Sequence, residues 1–180
     1  MNITVFCGSL TSNQIQFQEA SQALGQWLAE QDHQLIYGGS STGLMGLLAD
    51  AVLANQGQVT GIVPQVLNNS ELNHTHLNKL IEVDTMSQRK EALIQAGQAF
   101  IALPGGPGTL EEVADVLAWL RMESGNAPCI IYNINGYYDD LANLLKKMVD
   151  VAFIDNTSFQ HVYFCQSLTE IAIILAKYSN

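Results

Sequence analysis

Apolar residues arrive along this chain in two rhythms. Short, largely apolar runs, rich in β-branched and aromatic residues and bounded by Gly or Pro, fall at Ile3 to Phe6, Leu35 to Tyr37, Val59 to Val63, Ala99 to Leu103 and Cys129 to Tyr132. Runs of this length and continuity predict strands buried on both faces, as in a parallel sheet. Between them the spacing lengthens to a helical period. Phe17, Ala20, Leu24, Trp27 and Leu28 share one helix face, as do Leu44, Leu47, Leu48 and Ala51; Met86, Leu93 and Ala96; and Leu110, Val113, Leu117 and Leu120. Two further helices are predicted over Leu141 to Val149 and Leu168 to Leu175. Strand and helix in alternation predict an α/β fold, a parallel sheet with helices on both faces joined by right-handed crossovers. No repeat or linker divides the chain, so residues 1–180 are expected to form a single domain. The stretch from Pro64 to Asn78, rich in Asn and without period, reads as a surface loop near the ligand.

Ligands of such sheets bind outside the carboxyl ends of the strands. That rule selects three loops: Cys7-Gly8-Ser9, Gly38 through Gly43, and Pro104-Gly105-Gly106-Pro107-Gly108-Thr109. In the last, three glycines let backbone amides approach a ligand closely, and a helix opening at Thr109 would turn its positive dipole end toward an anion. Together these describe a phosphate cradle. A second reading stays open, because Thr109 and Glu112 have the spacing of a capping box in which the glutamate only closes its own helix. The loop lacks the Gly-Lys-Ser/Thr ending of a P-loop, and neither glycine loop fits the dinucleotide fingerprint. A P-loop ATPase and an NAD enzyme are disfavoured.

Charge narrows the ligand further. Seventeen acidic residues against seven basic ones leave the 180-residue chain at −10, which disfavours nucleic acid and anionic membranes as partners. No Lys or Arg precedes Lys79, so an anion must be held by backbone N–H groups or by the few later cations, chiefly Arg89 and Lys90. Only 13% of residues are charged, about half the usual fraction, and 48% are hydrophobic. A surface so sparsely charged suggests burial against a second copy, hence a homodimer. Three scattered cysteines, Cys7, Cys129 and Cys165, read as buried thiols in a reducing compartment. With no leader pattern and no apolar run of membrane-spanning length, a cytoplasmic protein is expected.

Tyr37-Gly38-Gly39, Gly43-Leu-Met-Gly46, Glu71-x-x-His74, Met86-x-x-Arg89-Lys90 and Pro104-Gly-Gly-x-Gly-Thr-x-x-Glu112, in this order and spacing, resemble the Lonely guy (LOG) family. Those proteins are phosphoribohydrolases that cleave cytokinin riboside 5′-monophosphates, and often AMP, to free base and ribose 5-phosphate. The resemblance runs from Ile3 to about Leu145 and implies a Rossmann-like dimer with its active site near the interface. It implies Arg89 and Glu112 as the catalytic pair, and Gly105, Gly106, Gly108 and Thr109 as the phosphate cradle. Ser9, Lys90 and Glu71 are implied as further substrate contacts. The chain departs from the family at Ser40, where a third glycine is usual, and from Trp119 to Gly125. Family members often carry a lysine decarboxylase label. A chain this short, with five lysines to supply a Schiff base, argues against it.

The chemistry can be argued from the residues as well. Hydrolysis of an N-ribosidic bond passes through an oxocarbenium-like state, which a fixed carboxylate stabilises while it orients or deprotonates water. Glu112 suits that role. Arg89, one of two arginines, suits a 5′-phosphate, although the Arg89-Lys90 pair also reads as a solvated helix face. No metal or redox cofactor is required. His74-x-His76 lacks the companions of a metal site and reads as a loop pair, while His33 and His161 have no partner legible in sequence. Trp27, Trp119, Phe100 and Phe153 are expected in the core or on a dimer face, and Cys7 is expected to pack. A different class of function also fits: a non-catalytic carrier or sensor of a nucleotide or phosphorylated cofactor, built on the same loop.

Overall fold

The computed structural model describes residues 1–67, 73–122 and 126–179. Seven strands form one parallel sheet: β1 (Asn2–Phe6), β2 (Gln34–Tyr37), β3 (Val59–Pro64), β4 (Lys79–Val83), β5 (Ala99–Ala102), β6 (Cys129–Tyr132) and β7 (Val162–Cys165). Their order across the sheet is β4-β3-β2-β1-β5-β6-β7. The chain therefore builds outward from the centre to β4, returns to the far side of β1 at β5, and builds outward again. That return places a topological switch point between β1 and β5, the crevice where such sheets take ligands. Register there is direct, with Ile3 opposite Ala99 and Phe6 opposite Ala102.

Among the described residues six α-helices cover the sheet: α1 (Ile15–Glu30), α2 (Gly43–Ala54), α3 (Met86–Ala96), α4 (Pro107–Met122), α5 (Asp139–Asp150) and α6 (Leu168–Ala176). Alternation along β1 sorts the core into two layers. Ile3 and Val5 join Leu24 and Leu28 of α1, Leu44, Leu48 and Val52 of α2, and Ile171 of α6. Phe6 joins Leu93 of α3 with Val113, Val116 and Leu120 of α4. Both faces are covered, which is why the central strands carry few polar residues. Thr4, fully buried, satisfies its hydroxyl on the Leu93 carbonyl at 2.9 Å.

The five strands and six helices legible in the sequence are present, and two strands were not legible. Lys79–Val83 mixes charged with apolar residues and has no Gly or Pro at its ends, because as an edge strand it is mostly exposed. Val162–Cys165 lies at the opposite edge and likewise lacks Gly or Pro boundaries. Phe100 is fully buried and Trp27 and Trp119 pack partly against the core, whereas Phe153 is 77% exposed. Among the described residues no helix is long and apolar enough to cross a membrane.

Leu48 lies fully buried between α1 and the sheet. Leu48→Ala is expected to lower unfolding free energy in urea by roughly 2–5 kcal/mol, against about 0.5 kcal/mol or less for Leu144→Ala on the exposed side of α5.

Candidate active site

The three loops chosen from the sequence are bonded into one unit. Gly8 donates its N–H to the Pro104 carbonyl at 3.2 Å, and the Gly8 carbonyl accepts from the first amides of α2, Leu44 at 3.0 Å and Met45 at 3.3 Å. Thr42 Oγ1 donates to the Ser9 carbonyl at 3.0 Å. Gly43 permits this junction: its φ is +63°, and a Cβ there would collide with the Ser9 carbonyl group. Between the loops lies a cavity of about 830 Å³ at the switch point, large enough for a nucleotide.

Arg89 and Glu112 meet in its wall. Arg89 lies in the first turn of α3, whose start is set by a capping box: Thr85 Oγ1 accepts from Gln88 N, and Gln88 Oε1 accepts from Thr85 N. From there its side chain runs inward. Nε donates to the Ile62 carbonyl of β3 at 3.2 Å, and one terminal nitrogen donates to Glu112 Oε1 at 2.9 Å. Both side chains are nearly buried, 11% and 13% exposed. The other terminal nitrogen lies against Gly38, where a Cβ would occupy its place. Arg89 is thus no part of a solvated helix face.

The capping box left open as a second reading of Thr109 and Glu112 is absent, because α4 begins at Pro107, ahead of Thr109. Pro107 takes the first helical position, where its missing N–H costs nothing, and Leu110 N donates to the Gly106 carbonyl at 3.2 Å. Thr109 is buried within the first turn, its side chain against Gly105, and Glu112 is free to pair with Arg89. Burial raises the Glu112 pKa above the ordinary carboxylate range, while the Arg89 charge and hydrogen bond pull it back without cancelling the shift. Burial, reinforced by the Glu112 charge, pushes the neighbouring Cys7 thiol far up, so Cys7 is an inert packing residue.

Ser9, Arg89, Gly105, Gly106, Gly108, Thr109 and Glu112 all line the cavity. Lys90 does not. Its ammonium is held outside by Glu111 Oε1 at 2.9 Å and Asp115 Oδ2 at 3.0 Å. Glu71 lies outside the described residues. His74 acts structurally: its ring Nδ1 accepts from His76 N at 3.2 Å, so Nε2 carries the proton and donates to Asp50 Oδ1 at 2.9 Å. The His74 amide bonds the Gly39 carbonyl and Asn73 bridges to Ser40, bringing Asn73 to the cavity edge. Ser40 fits where the family has glycine, its hydroxyl turned to Thr42. His161 bonds the Tyr178 hydroxyl, and His33 packs on Trp27. Among the described residues no three His, Cys, Asp or Glu side chains gather as for a metal. Sequence reasoning missed Asn73, Met45, Phe17 and Tyr137 as cavity residues; Met45 lies inside the Gly43-Leu-Met-Gly46 motif without being singled out, and Phe17 and Tyr137 belong to no glycine-rich or charged motif.

The chain matches known proteins along nearly its whole length. Residues 45–175 match the family described as possible lysine decarboxylase. The cytokinin riboside 5′-monophosphate phosphoribohydrolase LOG2 of Arabidopsis thaliana is 36% identical over 98% of this chain and 83% of its own. The probable phosphoribohydrolase LOG6 of the same plant is 37% identical over 98% and 88%. Among solved structures, the molybdenum cofactor binding protein of Rippkaea orientalis superposes with a TM-score of 0.75 at 22% identity, covering 99% of this chain and 97% of that one, and so shares the fold.

A carboxyl raised by burial favours the folded state below its ordinary pKa, and that contribution is lost as pH rises through the raised value. In a carbon-13 titration the Glu112 carboxyl is expected to titrate above a free glutamate side chain, and higher still in Arg89→Gln, where the attraction is gone. A Glu112 midpoint unmoved by Arg89→Gln would contradict this account of the pair.

Proposed function

The chain belongs to the Lonely guy (LOG) family, and from that membership we propose that it is a single-domain hydrolase that cleaves the N-glycosidic bond of nucleoside 5′-monophosphates. Its products are the free base and ribose 5-phosphate. The substrates we assign are cytokinin riboside 5′-monophosphates, AMP or both. The observation that carries this reading is the buried Arg89–Glu112 pair in the wall of a cavity that the Gly105–Gly108 loop also lines. That loop and the first turn of α4 offer backbone N–H groups to the 5′-phosphate. With Arg89 committed to Glu112 and to the Ile62 carbonyl, the phosphate is left chiefly to these amides and to Thr109 and Ser9.

In the reaction the electron pair of the C1′–N bond leaves with the base, and the proton that neutralises the departing base comes from solvent, to which Glu112 later returns the one it takes from water. Positive charge grows on the ribose, and the Glu112 carboxylate stabilises it. Water forms the new C1′–O bond and gives its proton to Glu112, whose raised pKa makes it the stronger base. Arg89 draws the carboxyl pKa back toward its ordinary value and fixes the direction of the group, a positioning function that a shift of about 1 Å would weaken. A non-catalytic carrier is the second reading, favoured only by the fold shared with the molybdenum cofactor binding protein. Turnover separates the two.

We also place the protein in the cytoplasm, on its three free, buried cysteines, and propose a homodimer formed through α3 and α4. Met86 and Leu110, on the helices that carry Arg89 and Glu112, are apolar and exposed. Light scattering at micromolar concentration is expected to give twice the chain mass; an active monomer would contradict it.

Glu112→Gln keeps the size of the side chain and removes the charge that the transition state needs. Adenine release from AMP is expected to fall on the order of 10² to 10⁴-fold with AMP still bound, whereas Glu111→Gln, at a side chain that bonds Lys90 outside the cavity, should change the rate little. Adenosine is expected to be a far poorer substrate than AMP. A fully active Glu112→Gln protein would sink the mechanism, and equal specificity constants for AMP and adenosine would sink the phosphate cradle.

A further inference from the structure

The chain after β6 turns back over the glycine loop. A 3₁₀ turn at Ile134–Gly136, with Asn135 at φ 53° and Gly136 at φ 73°, reverses it tightly. Asn133 braces the reversal: its Oδ1 accepts from Tyr138 N at 2.7 Å and its Nδ2 donates to Asp139 Oδ1 at 2.7 Å. Two consecutive tyrosines are thereby aimed at the strand end and the loop that follows it. The buried Tyr138 hydroxyl donates to the Leu103 carbonyl at 2.8 Å, and the Tyr137 hydroxyl donates to the Gly105 carbonyl at 2.6 Å. The Tyr137 ring meets Phe17 and Tyr138 edge-on, at centroid distances of 5.4 Å and 4.8 Å, and forms part of the cavity wall.

The Tyr137 bond falls on the Gly105–Gly106 peptide, one residue beyond the Gly8–Pro104 bond that anchors the start of the loop. The Gly105 carbonyl precedes α4 and accepts no helical N–H, the first helical bond going to Gly106. Gly106 is exposed, and a Cβ placed on it would meet nothing within 4 Å, so packing holds this peptide on its Gly105 side alone. Among the described residues the N–H groups of Gly106 and Gly108 have no backbone acceptor. The Gly105 carbonyl and the Gly106 N–H belong to one planar trans peptide and point in opposite directions. Whatever holds the first aims the second.

We propose that Tyr137 is a positioning residue for phosphate recognition: its hydroxyl holds the Gly105–Gly106 peptide plane so that the Gly106 N–H meets the 5′-phosphate. The proposal rests on the phosphoribohydrolase reading above. It gives the tyrosine a task apart from the bond-breaking step, since it touches neither Arg89 nor Glu112 among its hydrogen-bond partners.

Tyr137→Phe removes the hydroxyl and keeps the ring on Phe17. Calorimetric titration with ribose 5-phosphate is expected to show binding about tenfold weaker than wild type, the effect of one lost hydrogen bond. With AMP the same loss should appear in KM while kcat stays within about twofold, because the interaction is made in ground and transition states alike. Tyr138→Phe removes a neighbouring hydroxyl and is expected to lower the melting temperature while leaving ribose 5-phosphate affinity and KM unchanged. Wild-type affinity for ribose 5-phosphate in Tyr137→Phe, or a loss confined to kcat, would overturn the proposal. Because the calorimetric arm needs no turnover, a wild-type protein that binds ribose 5-phosphate but leaves AMP intact would overturn the hydrolase reading while Tyr137 is still tested.

Discussion

The contact between Arg89 and Glu112 is the interaction on which the rest of the site depends. An almost buried carboxylate is costly unless paired, and an almost buried guanidinium equally so; removing one partner of such a pair typically costs about 3–5 kcal/mol. The fold meets that cost with elements far apart in sequence. A capping box starts α3 so that Arg89 falls in its first turn, and β3 offers the Ile62 carbonyl to its Nε. Gly38 leaves room for the guanidinium, and the early start of α4 leaves Glu112 free of capping duty. Each arrangement is local, and all converge on a separation of 2.9 Å.

A second constraint follows from charge. A chain at −10, with no cation before Lys79, cannot attract an anion through its overall field. Recognition of a phosphate then falls to oriented peptide dipoles, which work only if the peptides are held still. The bonds from Gly8 to Pro104, from the start of α2 to Gly8 and from Thr42 to Ser9 do this for the loops as a group. Lys90, which might have supplied charge, is instead paired with Glu111 and Asp115 on the outer surface, where it ties α3 to α4.

Much of this was legible in the sequence, for identifiable reasons. Strands buried on both faces leave continuous apolar runs, so five of the seven could be read; at the edges, exposed β4 mixes charged with apolar residues, and β7, though apolar throughout, lacks the Gly or Pro that bounded the others. The glycine loops announced themselves because close approach demands glycine. What could not be read was the direction of individual side chains. Thr109 and Glu112 have capping-box spacing, yet Pro107 moves the start of the helix, and the real capping box belongs to Thr85 and Gln88. Arg89 and Lys90 are adjacent and alike in charge, but on a helix they point about 100° apart, one into the cavity and one out. Tyr137 carries no motif at all. It reaches the loop only through a reversal built from Asn133, Asn135 and Gly136.

The central claim is that this cavity breaks the bond between ribose and base. It is tested most directly by following the products when the purified protein is incubated with AMP and with its N6-prenylated counterpart. The account predicts free base and ribose 5-phosphate in equal amounts, with no inorganic phosphate. Release of phosphate and nucleoside, or binding of either nucleotide with no product at all, would contradict it.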